Sequence, residues 1–519
     1  MKKLLGIVMA MAMVIGSAAS ANATDIKIKG YFDFAFGWYS NTGFYDASTD
    51  RNNTGNDEGF YGSEENFDAT QRLRFQIDFV ASEQLSGTVQ FEIGTINWGH
   101  GGGDTWGWGE TGRGSGGAMG SDGVNVETKH MYIDWIVPET DLSIRMGLLP
   151  FALPYFANGA MSGNAILDDD LAGVVASYTF NEYVAVNLAW LRPWNPFTDS
   201  DFDRAAFTDH DSIDLIALTI PLTFAEYGLE ITPWGMYGFI GEVDTDEQYL
   251  GDDPIGQPMF GPSNFGAIGG GLGGAGGLGQ DGQAWWAGIS LNLTYWDPFF
   301  FAVDFMYGSY TSDDIDLGFY DPSGAWNSLG NFDNDRDGWA VSAKLGYKFE
   351  EVTPTLFGWY GSGVDGDDVS LDGLMPTLSP DWGFTSFGWS NNYGIFREGA
   401  VNGNNITGTW GIGIGFEDIK LVEGLTNNLR VAYFQGTNDS NMNSIPFFYR
   451  QNPALWGGYL YSEDDWGVEV NLDSVYQIME GLDLYSQIGY LHVDIDDSGD
   501  WSNDTDDSWE FAVGFRYTF

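Results

Sequence analysis

Cysteine is absent from this 519-residue chain, so no disulfide and no thiolate metal site takes part in its fold. Basic residues are scarce, 20 Lys and Arg against 74 Asp and Glu, for a formal net charge of -54. A surface that acidic argues against nucleic acid or anionic lipid headgroups as partners. The four histidines, His100, His130, His210 and His492, lie far apart, and no H-E-x-x-H, G-x-S-x-G or P-loop is present. Nothing here points to an enzyme. The run Gly271-Leu272-Gly273-Gly274-Ala275-Gly276 matches G-x-G-x-x-G in form, but no helical pattern follows it, and it reads as flexible loop. Beyond the first two dozen residues no stretch approaches the ~18 consecutive apolar residues of a spanning helix.

What is present begins with Lys2 and Lys3, an apolar run from Leu4 to about Ile15, and an Ala21-Asn22-Ala23 cleavage pattern. These are the parts of a secretory signal peptide, residues 1–23, which leaves 24–519 as one exported domain. Losing its two lysines takes the formal charge to -56, from the -54 of the whole chain.

The 73 glycines and 16% aromatic residues accompany a strict two-residue rhythm. In Trp509 to Phe519 the odd positions Trp509, Phe511, Val513, Phe515, Tyr517 and Phe519 are apolar. Glu510, Ala512, Gly514, Arg516 and Thr518 between them are small or polar. That is a strand with one greasy and one wet face, and eleven residues fit a strand tilted across a bilayer, which needs about 9–11. The same rhythm runs through 25–40, where Phe32, Phe34, Phe36 and Trp38 oppose Asp33. It recurs in 69–82, where Leu73, Phe75, Ile77 and Phe79 oppose Arg72, Arg74, Gln76 and Asp78.

Short turns near 83–87 and 138–141 alternate with long polar stretches such as 41–68 and 98–123. This spacing predicts an all-β, transmembrane antiparallel β-barrel of 16–18 strands, with short periplasmic turns and long external loops. The count that follows the rhythm is 18; strands 229–241, 354–361 and 466–474 are the least regular and leave 16 open. The longest external loops are read at 242–283, 362–407 and 436–465. A barrel of this size encloses water, whereas eight strands fill their own interior.

The wet faces hold the candidate functional residues. Lys27, Lys29, Arg72, Arg74 and Arg516 fall on three strands that become neighbours when the last closes on the first, and Arg145 lies further along. Either these cations neutralise the inward Asp33, Asp78, Glu92 and Glu510, or they face Asp168, Asp169 and Asp170 across a pore constriction and set ion preference. The net charge favours cations and the basic patch favours anions. Inward Gly411, Gly413 and Gly415 are expected to leave room for a pore. Asp333, Asp335 and Asp337 resemble the start of a calcium loop. Lys344 stands where the closing Glu would be, so a looser calcium site or an ordinary solvated loop remains. No other cofactor is expected.

The segments DIKIKGYFDFAFGWYS, RLRFQIDFVASEQLSGTVQFEIG, MYIDWIVPETDLSIRMGLLPFALP and WEFAVGFRYTF together resemble bacterial outer-membrane porins. They are most similar to the outer membrane homotrimeric porin family of sulfate-reducing bacteria. The resemblance implies a homotrimer of water-filled channels for passive diffusion of ions and small hydrophilic solutes across the Gram-negative outer membrane. It also implies lipid as surroundings, and recognition of the terminal Phe519 by the barrel-assembly machinery. It further implies that the third external loop, here 149–170, folds into the lumen; the Pro-Glu-Phe-Gly-Gly-type motif of enterobacterial general porins is missing from it. Two rival readings are a substrate-specific channel for sugars or carboxylates, with inward aromatics such as Tyr31 and Tyr132 along its path, and a structural or adhesive barrel with a plugged lumen. Packed apolar inward residues would mark the latter.

Overall fold

A strand with one apolar and one polar face satisfies its backbone only when both edges are paired, and closing a ring gives every strand two neighbours. The computed structural model forms such a ring. It describes residues 24–40, 66–99, 126–158, 162–194, 213–240, 282–312, 315–320, 326–332, 335–364, 372–389, 402–440, 461–495 and 507–519. The segment read as a signal peptide lies outside them.

The strands in chain order are β1 (Asp25–Ser40), β2 (Asn66–Ser82), β3 (Leu85–Asn97), β4 (Val126–Ile136), β5 (Leu142–Ala152), β6 (Asp168–Asn181) and β7 (Val184–Trp194). There follow β8 (Ile213–Thr219), β9 (Leu222–Phe224), β10 (Leu229–Ile240), β11 (Gly282–Leu293) and β12 (Phe299–Ser312). A separate hairpin, β13 (Ile315–Tyr320) with β14 (Trp326–Phe332), stands apart from the ring. The ring continues with β15 (Arg336–Tyr347), β16 (Thr353–Gly361), β17 (Thr409–Val422), β18 (Leu425–Gly436), β19 (Trp466–Met479), β20 (Leu482–Asp494) and β21 (Ser508–Thr518).

Each ring strand pairs antiparallel with the next, and β21 closes on β1 with Phe515 opposite Phe34 and Arg516 opposite Asp33. The sheet has 19 strands, but β8 and β9 lie end to end between β7 and β10 and form one stave, which makes eighteen. The break falls at Pro221, whose nitrogen has no proton to give the ladder. The three irregular stretches are present as β10, β16 and β19, so the count of 16 is excluded. Two of the short turns, Glu423–Gly424 and Glu480–Gly481, place glycine at φ +77° and +76°, the left-handed region a hairpin turn requires.

The outward face is apolar and exposed on every side of the ring, as at Ile28, Met131, Leu188, Ile289, Leu345, Ile414 and Ile488. Exposed rings collect at both ends. Tyr178, Phe180, Tyr227, Trp296, Phe349 and Tyr517 lie towards the short turns, and Trp38, Trp190, Phe239, Trp285, Trp339 and Trp509 towards the long loops. An apolar band between two aromatic girdles is the exterior that a bilayer selects. The main apolar core therefore lies inside the ring, not outside it. Leu191, Leu215, Trp286, Met306, Phe357, Phe434 and Leu491 point inward and are buried with residues from the connections after β5 and β16.

Candidate functional site

The lumen has two unlike walls. On the arc from β21 through β1 to β5 the inward residues are ion-paired. Arg516 donates to both oxygens of Asp33 from Nε at 2.6 Å and Nη2 at 2.7 Å, and its guanidinium lies 4.3 Å from the Tyr31 ring centroid. Arg74 donates to Glu92 and, at 3.2 Å, to the Tyr31 hydroxyl, while Arg72 stands 3.8 Å from the same Glu92. Lys29 approaches Asp78 at 3.5 Å. Arg145 donates to Asp134 at 2.7 and 3.1 Å and lies over the Tyr132 ring. Strand alternation puts these residues on one surface, and the register sets Asp33 opposite both Arg72 and Arg516. Arg72 and Asp33 are buried, but Arg74, Arg516 and above all Arg145, at 39% side-chain exposure, remain accessible.

The opposite wall is covered by two inserts. The first, residues 153–158 and 162–167 after β5, is held by Asp304 of β12, whose carboxylate accepts the backbone N–H groups of Phe156 at 2.9 Å and Ala157 at 2.7 Å. Ser290 of β11 donates to the Pro154 carbonyl at 2.9 Å. The second insert, residues 372–389 and 402–408 after β16, is held in the same manner by Glu469 of β19. That carboxylate, fully buried, accepts from Phe387 N–H at 3.2 Å, Gly388 N–H at 3.0 Å and the Thr385 hydroxyl at 2.6 Å. Two repeats of the pleat away, Asp473 accepts from Ser386 Oγ at 2.7 Å and from Arg430 at 2.8 Å. A buried carboxylate is tolerable only with such donors, and here all but Arg430 of those named belong to the segment being fixed.

Three aromatic side chains of the second insert, Trp382, Phe384 and Trp389, pack against Phe357, Trp359 and Phe434 of the wall, and a fourth, Phe387, lies against Gly489 of β20. The inserts also bond to each other. Leu378 and Ser379 N–H both donate to the Ile166 carbonyl, Asp168 N–H to the Ser379 carbonyl, and Asp381 N–H to the Asn164 carbonyl, all at 2.8–3.0 Å.

The acids of the expected constriction occupy separate positions. Asp170 pairs with Lys129 and His130, and Asp169 accepts from Ser379 Oγ at 2.7 Å. Asp168 sits beside Gly163 at the junction of the inserts. Burial, then the nearby Asp168, Asp381 and Asp304, pushes the Tyr155 phenol upward and keeps it protonated. Lys27, Lys29, Arg72, Arg74, Arg145 and Arg516 share the arc, but none of their hydrogen bonds or ion pairs reaches Asp168, Asp169 or Asp170 among the described residues. Asp333 lies outside the described residues, and Asp337 accepts from the Tyr307 hydroxyl at 3.0 Å. No group of three or more His, Asp or Glu is arranged to hold a metal among the described residues. His130 and His492 each bond a carboxylate and, among the described residues, neither is hydrogen-bonded to a serine or threonine.

Two expectations from sequence need correction. Gly411, Gly413 and Gly415 do not leave open space: a Cβ at Gly411 would collide with the Trp359 ring, and one at Gly413 with Phe357. Gly411 and Gly413 are seats for aromatic rings, and a Cβ at Gly415 would meet the Thr355 hydroxyl. The connection 362–407, read as an external loop, has its described part inside the barrel. Its signal in sequence is the run WGFTSFGW from Trp382 to Trp389, four bulky rings in eight residues, which an external loop has no reason to carry.

No protein-family model matches the chain, and no curated protein matches it. Solved structures of three proteins from Pseudomonas aeruginosa are similar in chain path. OccK9 (OpdG) is 11% identical at a TM-score of 0.49, over 95% of this chain and 98% of that one. OccK8 (OprE) is 11% identical at 0.48, over 95% and 98%. OpdL is 11% identical at 0.47, over 95% and 99%. The resemblance to the porins of sulfate-reducing bacteria therefore stands on the quoted segments alone.

Proposed function

We propose that this chain is an outer-membrane channel through which ions and small hydrophilic solutes diffuse passively along the charged arc of a partly filled lumen. The observation that carries this reading is the division of the lumen. The inserts lie over the wall from β6 to β20. Among the described residues none of their side-chain hydrogen bonds reaches β21 or β1 to β5, where Arg74, Arg145 and Arg516 stay accessible. Charge lining a narrow, low-dielectric passage is what discriminates among permeating ions. The closed hydrogen-bonded ring and the apolar band between aromatic girdles support an outer-membrane setting. Export by the 1–23 leader, recognition of Phe519 by the assembly machinery and assembly as a trimer belong to the same reading.

The packed wall favours a selective, narrow path over a wide general pore. It also keeps the fully plugged barrel as the alternative to be tested. Conductance of the refolded full chain in a planar bilayer, under a tenfold KCl gradient, decides between them. Discrete steps are expected, with a reversal potential whose sign reports whether the arc or the acidic loops dominate. A correctly folded, heat-modifiable barrel that gives no steps refutes the channel.

A further inference from the structure

Beneath the first insert lies a cavity of about 480 Å³, walled by β6, β7, β8 and β10 and roofed by residues 151–156. Its volume falls within the usual range of small-ligand pockets, about 300–1,000 Å³. Its chemistry differs from the rest of the lumen. None of its 14 lining residues carries a charge at neutral pH, although the arc across the barrel is built from ion pairs. Three rings line the roof, Phe151 from the end of β5 and Tyr155 and Phe156 from the insert. Neutral hydrogen-bonding groups line the wall: the hydroxyls of Ser177, Thr219 and Thr232 and the amide of Asn187. Asn187 donates to Thr219 Oγ1 at 2.9 Å, which fixes its amide and leaves its carbonyl oxygen as an acceptor. Among the described residues the hydroxyls of Ser177 and Thr232 have no protein partner.

We propose that this cavity is a binding subsite for an uncharged, hydroxyl-rich ring compound of mono- to disaccharide size. Such a molecule has an apolar face to lay on aromatic rings and an equatorial rim of hydroxyls that both donate and accept. The cavity offers both halves of that pattern. An ionised solute would lose its hydration there with no charged side chain among the lining residues to replace it. The inference rests on the channel reading only for the route by which the solute arrives, and the cavity itself is present in the isolated barrel.

The test is therefore equilibrium binding to the detergent-solubilised full chain, by saturation-transfer NMR and calorimetry, independent of conductance. The probes are maltose and methyl glucoside, with glucuronate and glucosamine as charged counterparts. Saturable binding of the neutral sugars is expected, at least tenfold tighter than either charged sugar. The double variant Ser177→Ala/Thr232→Val removes two partnerless hydroxyls at nearly constant volume and is expected to weaken sugar binding about tenfold. Asn187→Leu serves as a second variant, with heat modifiability as the check on folding for both. Absence of neutral-sugar binding overturns the proposal. So does equal binding of the charged sugars, or unchanged affinity in folded variants. A barrel that binds sugar but conducts nothing removes the channel reading and keeps this one; a conducting barrel that binds no sugar does the reverse.

Discussion

Replacing Glu469 with glutamine tests what holds the second insert in the lumen. The carboxylate accepts three hydrogen bonds, from Thr385 Oγ and from the N–H groups of Phe387 and Gly388. The two main-chain N–H groups converge on Oε1 and the Thr385 hydroxyl meets Oε2, so glutamine can keep all three contacts, its oxygen accepting from the main chain and its NH₂ donating to the Thr385 hydroxyl. What it loses is charge assistance. Hydrogen bonds to charged groups contribute about 1.5–3 kcal/mol each against about 0.5–1.5 for neutral ones, and the losses are not additive, so a local cost of about 2 kcal/mol follows. At ~1.4 kcal/mol per decade this is roughly thirtyfold faster opening of residues 384–389. Hydrogen exchange followed by mass spectrometry on the folded variant reads it directly, since local opening sets the exchange rate. The barrel strands should keep their protection. Unchanged exchange at 384–389 in an intact Glu469→Gln barrel would refute the reasoning and show that the packing of Trp382, Phe387 and Trp389 alone holds the insert.

The pair Arg145–Asp134 is accessible, at 39% and 38% side-chain exposure, so it contributes at most about 1 kcal/mol to stability. Arg145→Gln should leave the unfolding temperature nearly unchanged and shift the reversal potential towards cations, because Asp134 remains; an unmoved potential would remove this arc from the conducting path. At the long-loop rim, hydrogen bonds from the Tyr490 hydroxyl and then His492 hold the Asp507 carboxyl below the usual carboxylate range. A depressed pKa in the folded state means that this contribution is present at neutral pH. It is lost as the pH falls below about 4 and through the folded value. With Asp507 46% exposed, the effect should stay under about 1 kcal/mol. Exchange at 488–494, corrected for intrinsic rates, should accelerate by less than tenfold between pH 7 and pH 3, and Asp507→Asn should abolish that difference.

The staves were legible because lipid and water impose opposite demands on alternate residues, and that contrast survives in β1, β2, β5 and β21 without any tertiary information. The seam was legible too: closure of the last strand on the first puts Arg516 beside Asp33. The interior was not. Alternation says which residues face inward but not what they meet there. A glycine such as Gly411 reads the same whether water or the Trp359 ring lies above it. Nor does the sequence announce that Glu469 and Asp304 serve segments 81 and 147 residues away. The wet-face cations were found because they repeat at two-residue spacing. The second insert was missed because Gly-, Ser- and Asn-rich chain looks like solvent-facing loop until its aromatic residues are matched with a wall.

The bond between Arg516 and Asp33 spans 483 positions of sequence and joins the two strands that meet last. Without β21 the Asp33 carboxylate, 2% exposed in the closed ring, loses both of the hydrogen bonds that Arg516 donates to it. The Arg516 side chain itself is 27% exposed, so the loss lies below the ~3–5 kcal/mol of a fully buried pair, and it adds to the ladder bonds between β1 and β21. The seam is thus a latch that engages only on completion. Strand exchange or lateral parting there is disfavoured once the ring has formed, and a chain stalled one strand short leaves the Asp33 carboxylate without the two donors that β21 supplies.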